Sequence, residues 1–404
     1  MTTTTTTIRS QSLTGLILLA FLAFISLGLP NGLLGVAWPS MRADFGLTLE
    51  AMGSLLIAST VGYLTSSFFS GQIVTRLGVG GTLAAACFAT GSALIGYTLV
   101  PVWWMVMALG VVAGWGGGAI DASLNTYVAA NFKARTMQWL HASFGVGMTL
   151  GPIIMTSALV MFENWRIGYF TVGTAQMVLA TGFWLTINLW KRPTSGNSIK
   201  QGQALLEHRT PLLKTLHESG AWVSIALFFI FTGSQMTLGH WAYTLLVDAR
   251  GVSAQAAGLW AGSYWGMFTL GRIMAGIFAG RIGLHHLLQF SLLFSLLGAG
   301  LLWWNPLPWV SLFGVVLIGF AAAPIFPGLM SATIERVGVL HTANTIGMQV
   351  SAAAIGMSLM PALAGALAGR LGLEVIPPYV FSLYLLLIGM YIISRLNRSS
   401  SLVE

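Results

Sequence analysis

"GQIVTRLG" occupies residues 71–78 and "GIFAGRIG" residues 276–283, 205 positions further on. Both open and close on glycine, both carry arginine in the sixth place, and each falls in a short break between long apolar runs. The same offset lays "GLTLEAMG" (46–53) on "GVSAQAAG" (251–258), Gly28 on Gly233 and Gly114 on Gly319. With four more residues of offset, "GMTLGP" (147–152) meets "GMSLMP" (356–361). Any one match is weak. Their common order and near-constant spacing mark two halves of one duplicated pattern.

The runs around these stretches decide what is duplicated. The chain has 404 residues, 56% hydrophobic and 7% charged, with a mean hydropathy of +0.81; a soluble chain carries about a quarter charged residues. A membrane-crossing helix needs about 20 mostly apolar residues, and twelve such runs follow one another between residues 12 and 394. They are continuous rather than alternating, which excludes a transmembrane barrel. We expect an all-α integral membrane protein of twelve helices. A six-helix bundle spans 1–190, a polar cytoplasmic linker 191–219, and a second six-helix bundle 220–404.

Charge sets the orientation. The net charge of +8 shows no basic patch interleaved with aromatics, so nucleic acid is not an expected partner. With the N-terminus placed inside, thirteen lysines and arginines fall in inner segments, four fall in outer loops, and Arg272 lies within a span. That bias puts both termini in the cytoplasm. The opening "MTTTTTTIRS" lacks the features of a cleaved signal peptide, and we expect a retained tail without regular structure. Cys87 is the single cysteine, so no intramolecular disulfide forms.

The paired loops resemble the G-x3-D-R-x-G motif of the major facilitator superfamily, with Gly71, Arg76 and Gly78 in one copy and Gly276, Arg281 and Gly283 in the other. Thr75 and Gly280 stand where that motif has its acid. "GGGAIDASLNTYVA", "WLHASFGVGMTLGP", "YWGMFTLGRIMAG" with its Arg272, and "IGMQVSAAAIG" resemble the branch of fucose permease and the glucose/mannose:proton symporters. The resemblance implies two pseudo-symmetric bundles rocking about a midplane site. It also implies proton-coupled uptake of a sugar. Two acids of that branch are missing here: the first span offers Asn31, and the seventh has Gln235 in place of a glutamate.

Of ten acidic residues, nine lie in loops, at span ends or in the tail; Asp121 alone lies well inside a run. A mid-span carboxylate costs about 2.5–3.5 kcal/mol on the insertion scale, so its retention implies an interior or water-lined place and a use. A carboxyl that takes a proton on one side and releases it on the other is what proton-coupled transport requires, and the resemblance points to the same residue. The bland reading is a helix-to-helix hydrogen bond. Gly110, Gly114, Gly118 and Ala122 recur every fourth residue as a packing strip, with Gly117, Asp121 and Asn125 on the strip beside it. Gly114, Gly116 and Ala119 also satisfy G-x-G-x-x-A, but no strand precedes them, so a dinucleotide site is not expected.

Candidate solute contacts are Asn31, Asn125, His141, Gln235, His240, Trp241 and Gln349, with Tyr264 and Trp265 able to stack on a sugar's apolar face. Amides suit hydroxyl ligands because they both donate and accept; a structural hydrogen bond is the alternative for each. For Arg272 we expect a structural or snorkelling role. No phosphate loop and no Cys/His metal cluster is present, so no enzyme activity, metal or cofactor is expected. The leading reading is a monomeric, multi-pass transporter of the plasma (inner) membrane that couples a neutral sugar or similar solute to protons, with sodium as the alternative ion. The rivals are a proton-antiporting exporter of amphipathic compounds and a transport-inactive receptor or scaffold.

Overall fold

The computed structural model describes residues 2–132, 134–190 and 211–401, the side chains of 2–14, 129–130, 134–135, 138, 278–280, 343 and 396–401 aside. All regular structure among the described residues is helical. The first half supplies α1 (Thr2–Phe45), α2 (Ala51–Phe68), α3 (Ser70–Tyr97), α4 (Trp103–Asn131), α5 (Ala134–Phe162) and α6 (Trp165–Leu185). The second supplies α7 (Ser219–Thr244), α8 (Ala254–Ile282), α9 (Leu284–Trp304), α10 in two limbs (Pro308–Ala322 and Ile325–Ser331), α11 (Thr333–Leu371) and α12 (Ile376–Ser401). Ten spans are long and apolar enough to cross a membrane; α6 and α8, 21 and 29 residues long, complete the twelve-helix pattern. α1 starts at Thr2, so the tail expected to lack regular structure is helical. Most of the expected linker, 191–210, lies outside the described residues; a short helix, Leu212–Leu216, follows it.

The chain forms two compact units, residues 1–45 with 58–201 and residues 46–57 with 202–404. In the first, α1 packs on α5 and α3 on α4 and α6, around a core that includes Phe24, Leu83, Ile120, Leu140 and Phe183. In the second, α7 packs on α11 and α10 on α8 and α9. The opening turns of α2 belong to this second unit, where Gly53 sits against Ala362 with a would-be Cβ 2.6 Å from that methyl.

The 205-residue repeat is present in the packing. A Cβ on Gly114 would lie 1.8 Å from the Ser59 carbonyl oxygen, and one on Gly319 would lie 2.3 Å from that of Tyr264, 205 residues beyond Ser59. Gly28 abuts the backbone at Phe144 and Gly147, as Gly233 abuts Met360 and Gly356. The turns repeat too. Gly78 (φ 70°) breaks the helix where α3 begins, and Gly283 (φ 81°) separates α8 from α9. Left-handed φ is cheap only for glycine, so the closing glycine of each loop motif is fixed by backbone geometry. In α10, Pro324 and Pro327 bring the expected interruption, with residues 323–324 between the limbs; proline removes a helix hydrogen bond and crowds the turn before it. Ion pairs fasten an end of each unit: Asp44 with Arg166, and Arg250 with Glu374 at 2.8 Å.

Candidate functional site

Asp121 lies midway along α4, and its neighbours follow from the glycines before it. A Cβ at Gly118 would fall 2.3 Å from the Tyr63 carbonyl oxygen and 2.4 Å from the Ser66 hydroxyl. The bare strip of α4 therefore lets the α2 backbone come into contact, and the Tyr63 side chain reaches the next strip. There its hydroxyl donates to Asp121 Oδ2 at 2.5 Å. One turn along α4, Asn125 Nδ2 donates to Asp121 Oδ1 at 2.8 Å and to the Asp121 carbonyl at 2.9 Å. Each carboxylate oxygen thus receives one donor from a different source. His141 of α5 stands within electrostatic reach of the carboxyl and meets the edge of Phe24 with ring centroids 5.7 Å apart. Leu27 of α1 closes the floor beside Gly117. Asn31 lies a turn beyond Leu27, its amide 3.5 Å from the Leu27 carbonyl.

The second unit uses its candidates more for packing. Trp241 is fully buried against Gly365 and donates to the Pro361 carbonyl at 3.0 Å. Tyr264 is fully buried and donates to the Gln235 carbonyl at 3.0 Å. Trp265 covers Gly239 of α7. Gln349 and Thr333 exchange a hydrogen bond at 2.9 Å, and Arg336 joins them from Ser224. Gln235 and His240 are buried on α7, and His240 Nδ1 has no partner among the described residues. Arg272 stacks its guanidinium 4.5 Å over Phe268.

The loop-motif arginines, Arg76 and Arg281, are exposed and make no ion pair among the described residues. The opening glycines Gly71 and Gly276 have open space where a side chain would stand. Motif shape is therefore set by the closing glycines alone.

Sequence reasoning missed Tyr63. A signal existed: Ser59, Tyr63, Ser66 and Ser67 form a polar stripe at spacings of four, three and one in an otherwise apolar run, the face of α2 that meets the glycine strip. The repeat adds a second signal. The positions 205 residues beyond Tyr63, Ser67 and Asp121 are Phe268, Arg272 and Phe326. Hydrocarbon replaces the phenol and carboxyl in the second unit, where Phe326 meets Phe228 edge-on at 4.9 Å. The two halves share a scaffold and differ at this pair.

A family model described as Major Facilitator Superfamily matches residues 16–344. The glucose/mannose transporter of Bacillus subtilis (strain 168) is 23% identical over 364 residues, covering 87% of this chain and 88% of that protein. Bypass of stop codon protein 6 of Saccharomyces cerevisiae is 20% identical, covering 89% and 78%. In fold, the chain is similar to a D-xylose-proton symporter (TM-score 0.72, 15% identity, 94% of this chain and 97% of that one). It is also similar to a bacterial homologue of the human lysosomal transporter Spinster (TM-score 0.74, 13% identity, 96% and 97%).

Proposed function

The chain belongs to the major facilitator superfamily of transporters, a multi-pass membrane family and not an enzyme family, and on that footing we propose that it carries a neutral sugar or similar small polar solute in symport with protons. It works by alternating access, as a monomer in the plasma (inner) membrane with both termini in the cytoplasm and 191–219 as the linker between six-helix halves. Asp121 carries the reading. A carboxyl set midway along a span, with a donor on each oxygen and its counterpart in the second unit replaced by Phe326, is a site for one transferable proton. The names of two relatives, a glucose/mannose transporter and a D-xylose-proton symporter, support sugar and proton as the pair. In the second unit Gln235 and His240 of α7 are the polar groups left for a hydroxylated ligand, because Trp241, Tyr264 and Gln349 spend their polar atoms on helix contacts.

A solute panel and a pH electrode test this. Sugars, amino acids, nucleosides and amphipathic drugs are screened for a rise in melting temperature, since a ligand of the folded state alone stabilises it. The stabilising compound is then added to a weakly buffered suspension of cells making the protein. Symport predicts transient alkalinisation of the medium. Acidification would favour the antiporting exporter, and unchanged pH during uptake would remove the proton.

A further inference from the structure

The Asp121 carboxyl is held by two donors of different kinds. Asn125 offers an amide N–H, which cannot accept, and the same nitrogen is fixed by its bond to the Asp121 carbonyl. Tyr63 offers a hydroxyl, which donates or accepts as required. This arrangement suits the deprotonated carboxylate, where both oxygens need donors. It does not suit the acid unless one neighbour reverses. A proton on Oδ1 would point at an amide hydrogen. A proton on Oδ2 points at the tyrosine oxygen, which receives it once the phenol turns its own hydrogen away.

We propose that Tyr63 is the positioning residue of the coupling step: protonation of Asp121 falls on Oδ2 and reverses the Tyr63 hydroxyl from donor to acceptor, so that the charge state of α4 is written into its contact with α2. The proposal rests on the coupling reading of Asp121. The balance is simple. One proton arrives from the medium, one O–H bond forms at Oδ2, and Tyr63 keeps its own hydrogen. That hydrogen needs a new acceptor, and Ser67, one turn along α2, faces the same part of α4 with its hydroxyl 3.5 Å from the Gly118 carbonyl. The groups around the carboxyl are Tyr63 and the serines from α2, Asn125 from α4 itself, His141 from α5 and the apolar Leu27 from α1. Of these, the Tyr63 hydroxyl is the group that both touches the carboxylate and can invert. In the second unit, phenylalanines at 268 and 326 leave nothing to invert, which fits a single coupling site.

Infrared difference spectroscopy of the full-length protein in lipid, between low and high pH and without solute, tests this directly. The C=O stretch of the protonated Asp121 is identified by its loss in Asp121→Asn. In the wild type a tyrosine C–O band should appear at the same pH midpoint, because a phenol changes that stretch when it passes from donor to acceptor. The tyrosine band should vanish in Tyr63→Phe and in Asp121→Asn, and the carboxyl band of Tyr63→Phe should persist at a changed frequency. His141 titrates with imidazole bands that leave both assignments intact. A carboxyl band that titrates in the wild type with no tyrosine band beside it would overturn the proposal and leave the coupling reading standing. Absence of any titrating band removed by Asp121→Asn would overturn the coupling reading itself. The decisive spectrum is that of the unmutated protein, so a variant that folds poorly does not blunt the test.

Discussion

At the scale of single residues, the site depends on what is missing from side chains as much as on what they carry. Tyr63 reaches Asp121 because Gly114 and Gly118 let two backbones touch. Gly114→Ala places a methyl 1.8 Å from the Ser59 carbonyl oxygen, and neither helix backbone can yield cheaply. Overpacking of this kind costs about 1–3 kcal/mol, so a clear fall in melting temperature is expected. Gly117→Ala meets Leu27 at 3.3 Å, through the end of a flexible side chain, and its melting temperature should stay close to that of the wild type. Equal losses in the two variants would contradict this account of the helix contact. Asp121, Asn125 and the glycine strips are legible in the sequence because four-residue spacing fixes which residues share a helix face. Tyr63 is not, because an aromatic residue in an apolar run reads as core unless the partner helix and its height are known.

At the scale of elements, the two loop motifs separate into parts with different causes. Gly283 holds a left-handed φ of 81°, and an alanine there pays about 1–2 kcal/mol. Gly276 is helical with open space at its Cβ, so Gly276→Ala should leave stability unchanged or raise it by up to about 1 kcal/mol. Thermal melts of the two variants decide it, and a destabilised Gly276→Ala would mean that a neighbour crowds that face. Prolines are read more easily than glycines. The interruption of α10 follows from Pro324 and Pro327, since each removes a backbone donor whatever surrounds it. The burial of Trp241 and Tyr264 was not legible, because a tryptophan or tyrosine that stacks on a ligand and one that packs on a helix have the same sequence.

At the scale of the whole molecule, the duplication was readable because glycine contacts and turn geometry recur at a fixed offset, and such constraints survive where side chains diverge. The break in that symmetry at Tyr63 and Asp121 was readable in principle from the phenylalanines at 268 and 326. Orientation rests on the distribution of lysine and arginine. After Cys87 is replaced, Asn197→Cys should be shielded from an impermeant thiol reagent on intact cells and Asp248→Cys should be labelled; labelling at 197 from outside would contradict the proposed topology. The central claim, that Asp121 carries the coupling proton, is tested most directly in proteoliposomes containing Asp121→Asn and the stabilising solute. The amide is nearly isosteric with the acid and stays uncharged, so solute-for-solute counterflow should survive, while accumulation driven by a proton gradient should fall to the equilibrium level. Normal gradient-driven accumulation by this variant would contradict the account and leave Asp121 as a structural hydrogen bond between α2 and α4.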